Sequence, residues 1–295
     1  MSEFTWPSQD VVELAEGVVA ILQGEGEAGV SNAGIVTDGG RALVVDTFMF
    51  PEMADGLVSE LARRNARPET VVITHHHVDH IGGASLFPDA RVVAHARTVE
   101  TVERSGHPTP VYDGFMPAFR GRFDDLEVVV PEPTPTSLDL PLGAELPAFS
   151  PAHTPADTTV WLPDQRVLFT GDLCFFGVTP LALQGLVSSW VDAMDALIAL
   201  DPATVVPGHG PVGTVADMRV TRDYLAALRD AGRAAVAAGA GLDDAVAEFD
   251  AGPVAEWIEG ERILVNLERA MQEARGEVDA DHLDAIPPSF SRLLH

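Results

Sequence analysis

The heptapeptide THHHVDH at residues 74–80 decides the fold of this chain, and it directly follows the apolar run VVI at residues 71–73. Imidazole and carboxylate side chains at this density suit a divalent transition metal and have little other reason to crowd together. His75 and His77 are two positions apart, so in an extended loop their side chains point the same way. The stretch therefore predicts a metal site in a loop after a buried strand.

Three downstream segments supply further candidate ligands. His153 lies in PAHTP at 151–155, Asp172 ends FTGD at 169–172, and His209 lies in PGHG at 207–210. An isolated aspartate after Thr-Gly, or a histidine between two glycines, is usually an ordinary turn residue. Their joint occurrence in this order, after the strand-like segment VVD at 44–46, favours a shared metal site.

These residues make the chain resemble the metallo-β-lactamase superfamily, whose H-x-H-x-D-H signature it matches letter for letter. The resemblance covers residues from about 12 to 212. It implies an α/β (α+β) fold, a four-layer αββα sandwich with metals at one edge of two sheets. We expect residues 1–212 to form this domain, and residues 213–295 to be a C-terminal helical extension packed on it.

The resemblance also implies seven metal ligands in two sites that share one carboxylate. They are His75, His77 and His153 in the first site, Asp79, His80 and His209 in the second, and Asp172 as the bridge. The implied cofactors are two Zn²⁺ ions, with iron or manganese open as alternatives, since imidazole and carboxylate ligands accept all three metals.

The function implied is that of a dinuclear hydrolase cleaving an ester, thioester or lactone of a hydrophobic small molecule. A metal-bridging hydroxide would attack, and Asp79 would be the catalytic residue that orients it. The apolar segment 175–185 follows a predicted ligand and is expected to line the substrate pocket. The predicted pocket residues are Phe175, Phe176, Leu183 and, from a separate loop, Tyr112.

Two other enzymatic functions remain open. The segment 175–185 and the turn at 31–34 are loosely similar to superfamily cyclases and thioesterases that act on polyketide intermediates of secondary metabolism. An iron-dependent persulfide dioxygenase is the redox alternative, which metal analysis would separate from a zinc enzyme.

Several residues near the predicted ligands have two interpretations. Asp157 could orient a metal-bound histidine or cap the turn after His153. Asp46 is expected to support a ligand or form a turn, and Cys174 to pack beneath the site. The remaining histidines are expected at the surface or in the core, with His76 facing away from its neighbours; they are His76, His95, His107, His282 and His295.

Composition limits the partners. The 18 basic residues, all arginine, against 45 acidic ones give a net charge of −27. Such a field disfavours nucleic acid and anionic membrane surfaces, and with them the nuclease branch of the superfamily. We find no uncharged apolar run of membrane-spanning length and no secretory signal. One cysteine fits a reducing compartment. We therefore expect a cytoplasmic enzyme with a small-molecule substrate, compatible with a homodimer.

Periodicity predicts the main elements around these motifs. Antiparallel strands are expected within 11–22 and 30–46, a helix over 51–64, a strand over 71–74, a short helix over 79–86 and a strand over 92–94. Loops should dominate 109–147. A hairpin over 158–170, a helix over 188–200 and a strand over 204–206 follow, and helices broken near 250–253 complete the chain.

Overall fold

A computed structural model describes residues 5–105, 111–283 and 285–294. Its first sheet has seven strands in chain order, antiparallel from β1 to β4 and parallel from β4 to β7. The predicted antiparallel strands near the start are confirmed. The strands are β1 Gln9–Ala15, β2 Val18–Gln23, β3 Ala33–Asp38, β4 Arg41–Val45, β5 Arg67–Val72, β6 Arg91–Ala94 and β7 Glu132–Pro133.

The second half of the chain contributes two smaller sheets. A two-stranded sheet pairs β8 (Ala148–Phe149) with β9 (Asp157–Thr158). A three-stranded sheet joins β10 (Val160–Leu162) to β11 (Val167–Phe169) as the predicted hairpin, and β12 (Thr204–Val206) lies parallel to β11. The strand predicted over 204–206 has the bounds expected from the sequence.

Eight α-helices accompany these sheets in the described parts of the chain. They are α1 Asp55–Arg63, α2 Val78–Ile81, α3 Ala96–Ser105, α4 Tyr112–Phe115, α5 Val187–Ile198, α6 Val215–Ala238, α7 Leu242–Glu248 and α8 Arg262–Arg275. The pattern did not predict α3, because this amphipathic helix carries only two large apolar side chains, Val99 and Val102, among charged residues. The predicted break near 250–253 separates α7 from α8. No helix of the described residues is long and apolar enough to cross a membrane.

The layers follow from which face of each sheet is buried. Alternate residues of β2 to β6 meet β10 to β12 in a core between the sheets, which includes Val36, Leu43 and Phe169. The outer face of the first sheet packs under α1 and α3, and the outer face of the three-stranded sheet under α5, α6 and α8. This is the expected four-layer αββα sandwich, so the predicted fold class is confirmed.

Strand direction brings the candidate site to one edge of the sandwich. The parallel strands β4 and β5 end immediately before Asp46 and the THHHVDH segment, and the parallel strands β11 and β12 end before Asp172 and His209. Carboxyl ends of parallel strands lie at the same edge of a sheet, and ligand sites in α/β folds form there. The division at Gly213 stays a prediction, since α5 before it and α6 after it share one core cluster.

Candidate metal centre

Three imidazoles converge in the first cluster, of which His75 and His153 are buried and His77 is half-buried. The Nδ1 atom of His77 lies 3.0 Å from Nε2 of His75 and 3.2 Å from Nε2 of His153. One oxygen of Asp172, Oδ2, is 3.4 Å from Nε2 of His153 and 3.7 Å from Nε2 of His75. These four side chains form a group that could hold one metal ion.

The other oxygen of Asp172 faces a second cluster. Its Oδ1 atom is 3.0 Å from Nε2 of His80 and 3.5 Å from Nε2 of His209. Oδ2 of Asp79 lies 3.3 Å from the same nitrogen of His209 and 4.0 Å from that of His80. Asp79, His80 and His209 form a second group able to hold an ion, and Asp172 lies between the two groups. The structure thus brings all seven predicted ligands together.

The donor set fits divalent cations. His80 Nε2 and Asp172 Oδ1 are both buried and have no hydrogen-bond partner, although they are only 3.0 Å apart. Two such atoms side by side without a hydrogen bond are costly unless a further group lies between them and their neighbours. Nitrogen and carboxylate oxygen donors arranged in this way match the ligands that zinc, iron and manganese accept.

Supporting residues fix the orientation of the imidazoles. Asp46 Oδ2 lies 2.7 Å from Nδ1 of His80 and accepts a 2.8 Å hydrogen bond from the Thr74 hydroxyl, which is also 3.0 Å from Nδ1 of His75. His209 Nδ1 lies 3.0 Å from the carbonyl oxygen of Gly26. Hydrogen bonds of this kind to the second ring nitrogen hold a ligand imidazole in place. Asp46 thus supports the His80 imidazole, as expected from the sequence. The contact of Thr74 with His75 was not predicted from the sequence.

Gly208 allows the loop before His209 to pack against the carboxylate of Asp172. A Cβ atom at this position would lie 1.9 Å from Oδ1 of Asp172, closer than any side chain permits. The Gly208 amide instead donates to the carbonyl oxygens of Gly171 and Cys174, at 2.8 and 3.1 Å. The glycine before His209 is therefore required by packing against the carboxylate.

Burial and neighbouring charges shift the pKa values of these imidazoles. Burial lowers the pKa of His77 and His153 to about 3 and that of His75 well below its usual value, so these imidazoles are neutral at pH 7. Burial also opposes the charged form of His80, but the carboxylates of Asp172, Asp46 and Asp79 outweigh it and raise its pKa. Neutral imidazoles are the form that binds a cation.

The turn that carries His153 is fixed by Asp157. Its carboxylate accepts 2.9 Å hydrogen bonds from both the amide and the hydroxyl of Thr154. Burial raises the pKa of Asp157 to about 7 against these bonds. Asp157 therefore caps the turn after His153, rather than orienting a histidine side chain. The imidazole of His153 packs instead against the Trp190 ring, at a centroid distance of 4.8 Å.

A cavity of about 400 Å³ opens directly onto the cluster. Of the four predicted pocket residues, Phe175, Leu183 and Tyr112 line it, and the Phe175 ring also stacks on the His209 ring at 5.2 Å. Phe176 does not line it. Successive side chains of an extended segment point to opposite sides, and the Phe176 ring packs against Gly213.

The other histidines have varied positions. His76 is buried and lines the cavity, with Nε2 2.9 Å from Oε1 of Gln184, a role that the sequence did not predict. His95 is half-buried, and His282 is exposed beside Asp279. His107 and His295 lie outside the described residues.

Comparison with known proteins identifies the family. A family model described as the metallo-beta-lactamase superfamily matches residues 26–209. This chain belongs to that superfamily, a family of metal-dependent hydrolases, as the H-x-H-x-D-H motif and the αββα layers indicate.

The sequence identities to individual relatives are low. The alpha subunit of 2,4-dinitroanisole O-demethylase from Nocardioides sp. (strain JS1661) is 32% identical over 66% of this chain and 54% of its own length. An atrochrysone carboxyl ACP thioesterase from Cryptosporiopsis sp. (strain 8999) is 26% identical over 73% of this chain and 61% of its own. The chain thus spans little more than half the length of these two curated relatives.

Among solved structures, the inverting sec-alkylsulfatase Pisa1 from Pseudomonas sp. matches 96% of this chain and 53% of its own, with a TM-score of 0.69 and 16% identity. At that identity the likeness concerns the fold alone. The match extends over the C-terminal helices, so they have counterparts in a known fold.

Replacing Gly208 tests the packing against Asp172. Gly208→Ala should displace the carboxylate, reduce metal content and destabilise the protein by about 1–3 kcal/mol, as overpacking does. Metal analysis and thermal denaturation measure both effects. Gly241→Ala is the control, because its nearest neighbour would be 3.6 Å from the added carbon. Full metal content in Gly208→Ala would contradict this account.

Cys174 should be chemically inert in the folded protein. It is fully buried, its sulfur lies 3.7 Å from that of Met194, and burial raises its pKa to about 12. At pH 8 the thiolate fraction is then roughly one in 10⁴, and the thiolate is the reactive form. A disulfide-exchange reagent should label no cysteine in native protein and one per chain in guanidinium chloride. Rapid native labelling would contradict burial.

Proposed function

We propose that this protein is a dinuclear hydrolase that cleaves an ester, thioester or lactone bond of a hydrophobic small molecule, with zinc as its native metal. One observation carries the proposal: the two oxygens of Asp172 face two separate ligand clusters at the end of an apolar cavity. A site of this form combines two cation positions with room for an apolar substrate.

The proposed ligand roles follow the two clusters. His75, His77 and His153 would hold one cation, Asp79, His80 and His209 the other, and Asp172 would bridge them. When bound, two divalent cations lower the pKa of water and polarise a substrate carbonyl. Neutral imidazoles in the first cluster would accept a cation without first losing a proton, since burial already keeps them uncharged.

Asp79 is proposed as the catalytic residue of the chain itself. Its carboxylate lines the cavity, and its backbone carbonyl accepts a hydrogen bond from the Ser31 hydroxyl, which fixes the start of α2. Burial opposes its charged form, but His80 and His209 hold its pKa below the usual range. A carboxylate that stays ionised in a cavity can accept a hydrogen bond from a water molecule and orient it toward a substrate.

The cavity walls support a hydrophobic substrate. Val111, Phe115 and Leu181 line it together with Phe175. Apolar walls exclude water and favour the burial of an alkyl or aryl group. Its volume lies within the ~300–1,000 Å³ that small-molecule sites have.

The relatives suggest which bonds to test. A relative named as an ACP thioesterase supports a thioester as the substrate class. The loose similarity of segments 175–185 and 31–34 to secondary-metabolite thioesterases supports the same class. A relative named as a 2,4-dinitroanisole O-demethylase brings an aryl methyl ether into the panel as a second candidate substrate class.

The first experiment pairs metal analysis with a substrate panel. Protein purified without added metal would be assayed on p-nitrophenyl butyrate, a butanoyl thioester, an aliphatic lactone, 2,4-dinitroanisole and bis(p-nitrophenyl) phosphate. Two zinc ions per chain with ester, thioester or lactone turnover support the proposal. One iron per chain without hydrolysis overturns it in favour of the persulfide dioxygenase, and turnover of the phosphodiester alone overturns it in favour of a nuclease.

His77→Ala should lose metal and activity together while the fold survives, because the His77 side chain is not part of the hydrophobic core clusters. Loss of one ligand should lower metal content per chain, and hydrolysis should fall by at least about 10²-fold. His282→Ala, at an exposed histidine, is the matched control and should keep both. A metal-replete, active His77→Ala protein would remove His77 from the ligand set.

Asp79→Asn separates metal binding from turnover. The variant should keep at least one metal per chain through the first cluster, while kcat falls by about 10²–10⁴-fold, the usual contribution of a proton-accepting group. Metal content and kcat measured on the same preparation give both values. Unchanged kcat in a metal-replete variant would show that Asp79 has no part in the reaction.

A further inference from the structure

The cavity has a wall that lies outside the residues matched by the family model. Ile286 and Phe290, from the C-terminal segment 285–294, line the same cavity as the metal-ligand candidates. The family model ends at residue 209, so these two side chains belong to the part of the chain added after it. The far wall of the cavity is therefore built by residues C-terminal to the part of the chain that the family model matches.

Phe290 occupies a fixed position in this wall. It is only 6% exposed and packs in a cluster with Leu181, Val265 and Leu293. Its ring lies 5.0 Å from that of Phe115, centroid to centroid, at an interplanar angle of 55°. Tilted aromatic pairs at this distance attract each other beyond the effect of burial. The Phe115–Phe290 pair thus joins α4 to the C-terminal segment in the cavity wall.

A buried arginine holds the C-terminal segment in place. The Nη2 atom of Arg269, in α8, donates to the carbonyl oxygens of both Leu183 and Ala285, the latter at 2.6 Å. The side chain is fully buried, and although burial lowers its pKa to about 10, it stays charged at pH 7. One guanidinium therefore links the segment that follows Asp172 to the segment that closes the cavity.

A second anchor lies one residue before Phe290. The Ser289 amide donates a 2.6 Å hydrogen bond to the carboxylate of Glu268, which neighbours Arg269 in α8. A charge-assisted bond of this kind is stronger than a bond between neutral groups. Two successive residues of α8 therefore hold the segment at both ends of its cavity-lining part.

We propose that the C-terminal segment 285–294 is a fixed wall of the substrate pocket, and that Phe290 limits the size of the alkyl or aryl group that the pocket accepts. The expected ligand carries one uncharged alkyl or aryl group. This group extends from the reacting bond toward Phe115 and Phe290. The catalytic part of this inference rests on the proposed hydrolase function, whereas the binding part does not.

The binding test uses metal-free protein. A series of n-alkanols from butanol to dodecanol would displace the fluorescent probe 1-anilinonaphthalene-8-sulfonate. In the unchanged protein, affinity should rise about fourfold per methylene group and then level off at a limiting chain length. Phe290→Ala should move that limit outward by about two methylene groups or more, since it opens a cavity at the far wall.

Two further variants make the result specific. Leu293→Ala removes a buried side chain from the same cluster without touching the cavity lining, so it should leave the limiting length unchanged. Ile286→Phe adds bulk at a 41% exposed position that lines the cavity and should shorten the limit. This variant tests the wall even if Phe290→Ala does not fold. The same limit in the unchanged protein, Phe290→Ala and Ile286→Phe overturns the proposal.

The activity test uses the metal-loaded protein and p-nitrophenyl esters of acetate through dodecanoate. The chain length with the highest kcat/KM should shift with each variant as in the binding test, mainly through KM. Shifted alkanol limits without hydrolysis of these esters, or of the thioester and lactone of the first panel, would support the wall and overturn the hydrolase. Ester hydrolysis with one unchanged chain-length profile in all variants would support the hydrolase and overturn the wall.

Discussion

The structure depends on one carboxylate that two groups of imidazoles share. Asp172 is 5% exposed, and its oxygens lie 3.0–3.7 Å from nitrogens of four different histidines. Burying an ionised carboxylate costs several kcal/mol unless opposite charge lies near it. The neighbouring carboxylates raise the pKa of His80, which favours its charged form beside Asp172, whereas burial lowers the pKa of His75 and His153. Bound cations would supply the same positive charge beside the carboxylate of Asp172.

This requirement explains much of the surrounding packing. Asp172 and His209 follow adjacent parallel strands, and Gly208 must lack a side chain for the carboxylate to fit between them. Asp46 supports His80 from the end of β4, across the sandwich from those strands. Supporting hydrogen bonds of this kind are worth about 10–100-fold in metal affinity. The two sheets therefore meet at an edge where each contributes candidate ligands and the residues that orient them.

The sequence predicted the parts of this arrangement that short motifs encode. The seven ligand candidates follow from the resemblance that the motifs carry, and the antiparallel start, the hairpin over 158–170 and strand β12 follow from local patterns. The sequence could not reveal the position of Phe290 in the cavity wall, because no motif surrounds this residue. It reaches the cavity only through packing against residues distant in sequence. Phe176 was placed in the pocket because composition alone does not say which side of a segment faces a cavity. Helix α3 was missed since two valines among charges give little periodic signal.

One contact described above bears on how the site is made during folding. The hydrogen bond between His209 and the carbonyl of Gly26 joins residues 183 positions apart. Contacts of such separation form late, since a long loop must close before they stabilise anything. The first cluster needs the chain only up to Asp172, whereas the second also needs His209, which contacts the loop between β2 and β3. A growing chain on the ribosome would therefore complete its two groups of candidate ligands in a fixed order. The group of Asp79, His80 and His209 would be last, after the sandwich has closed.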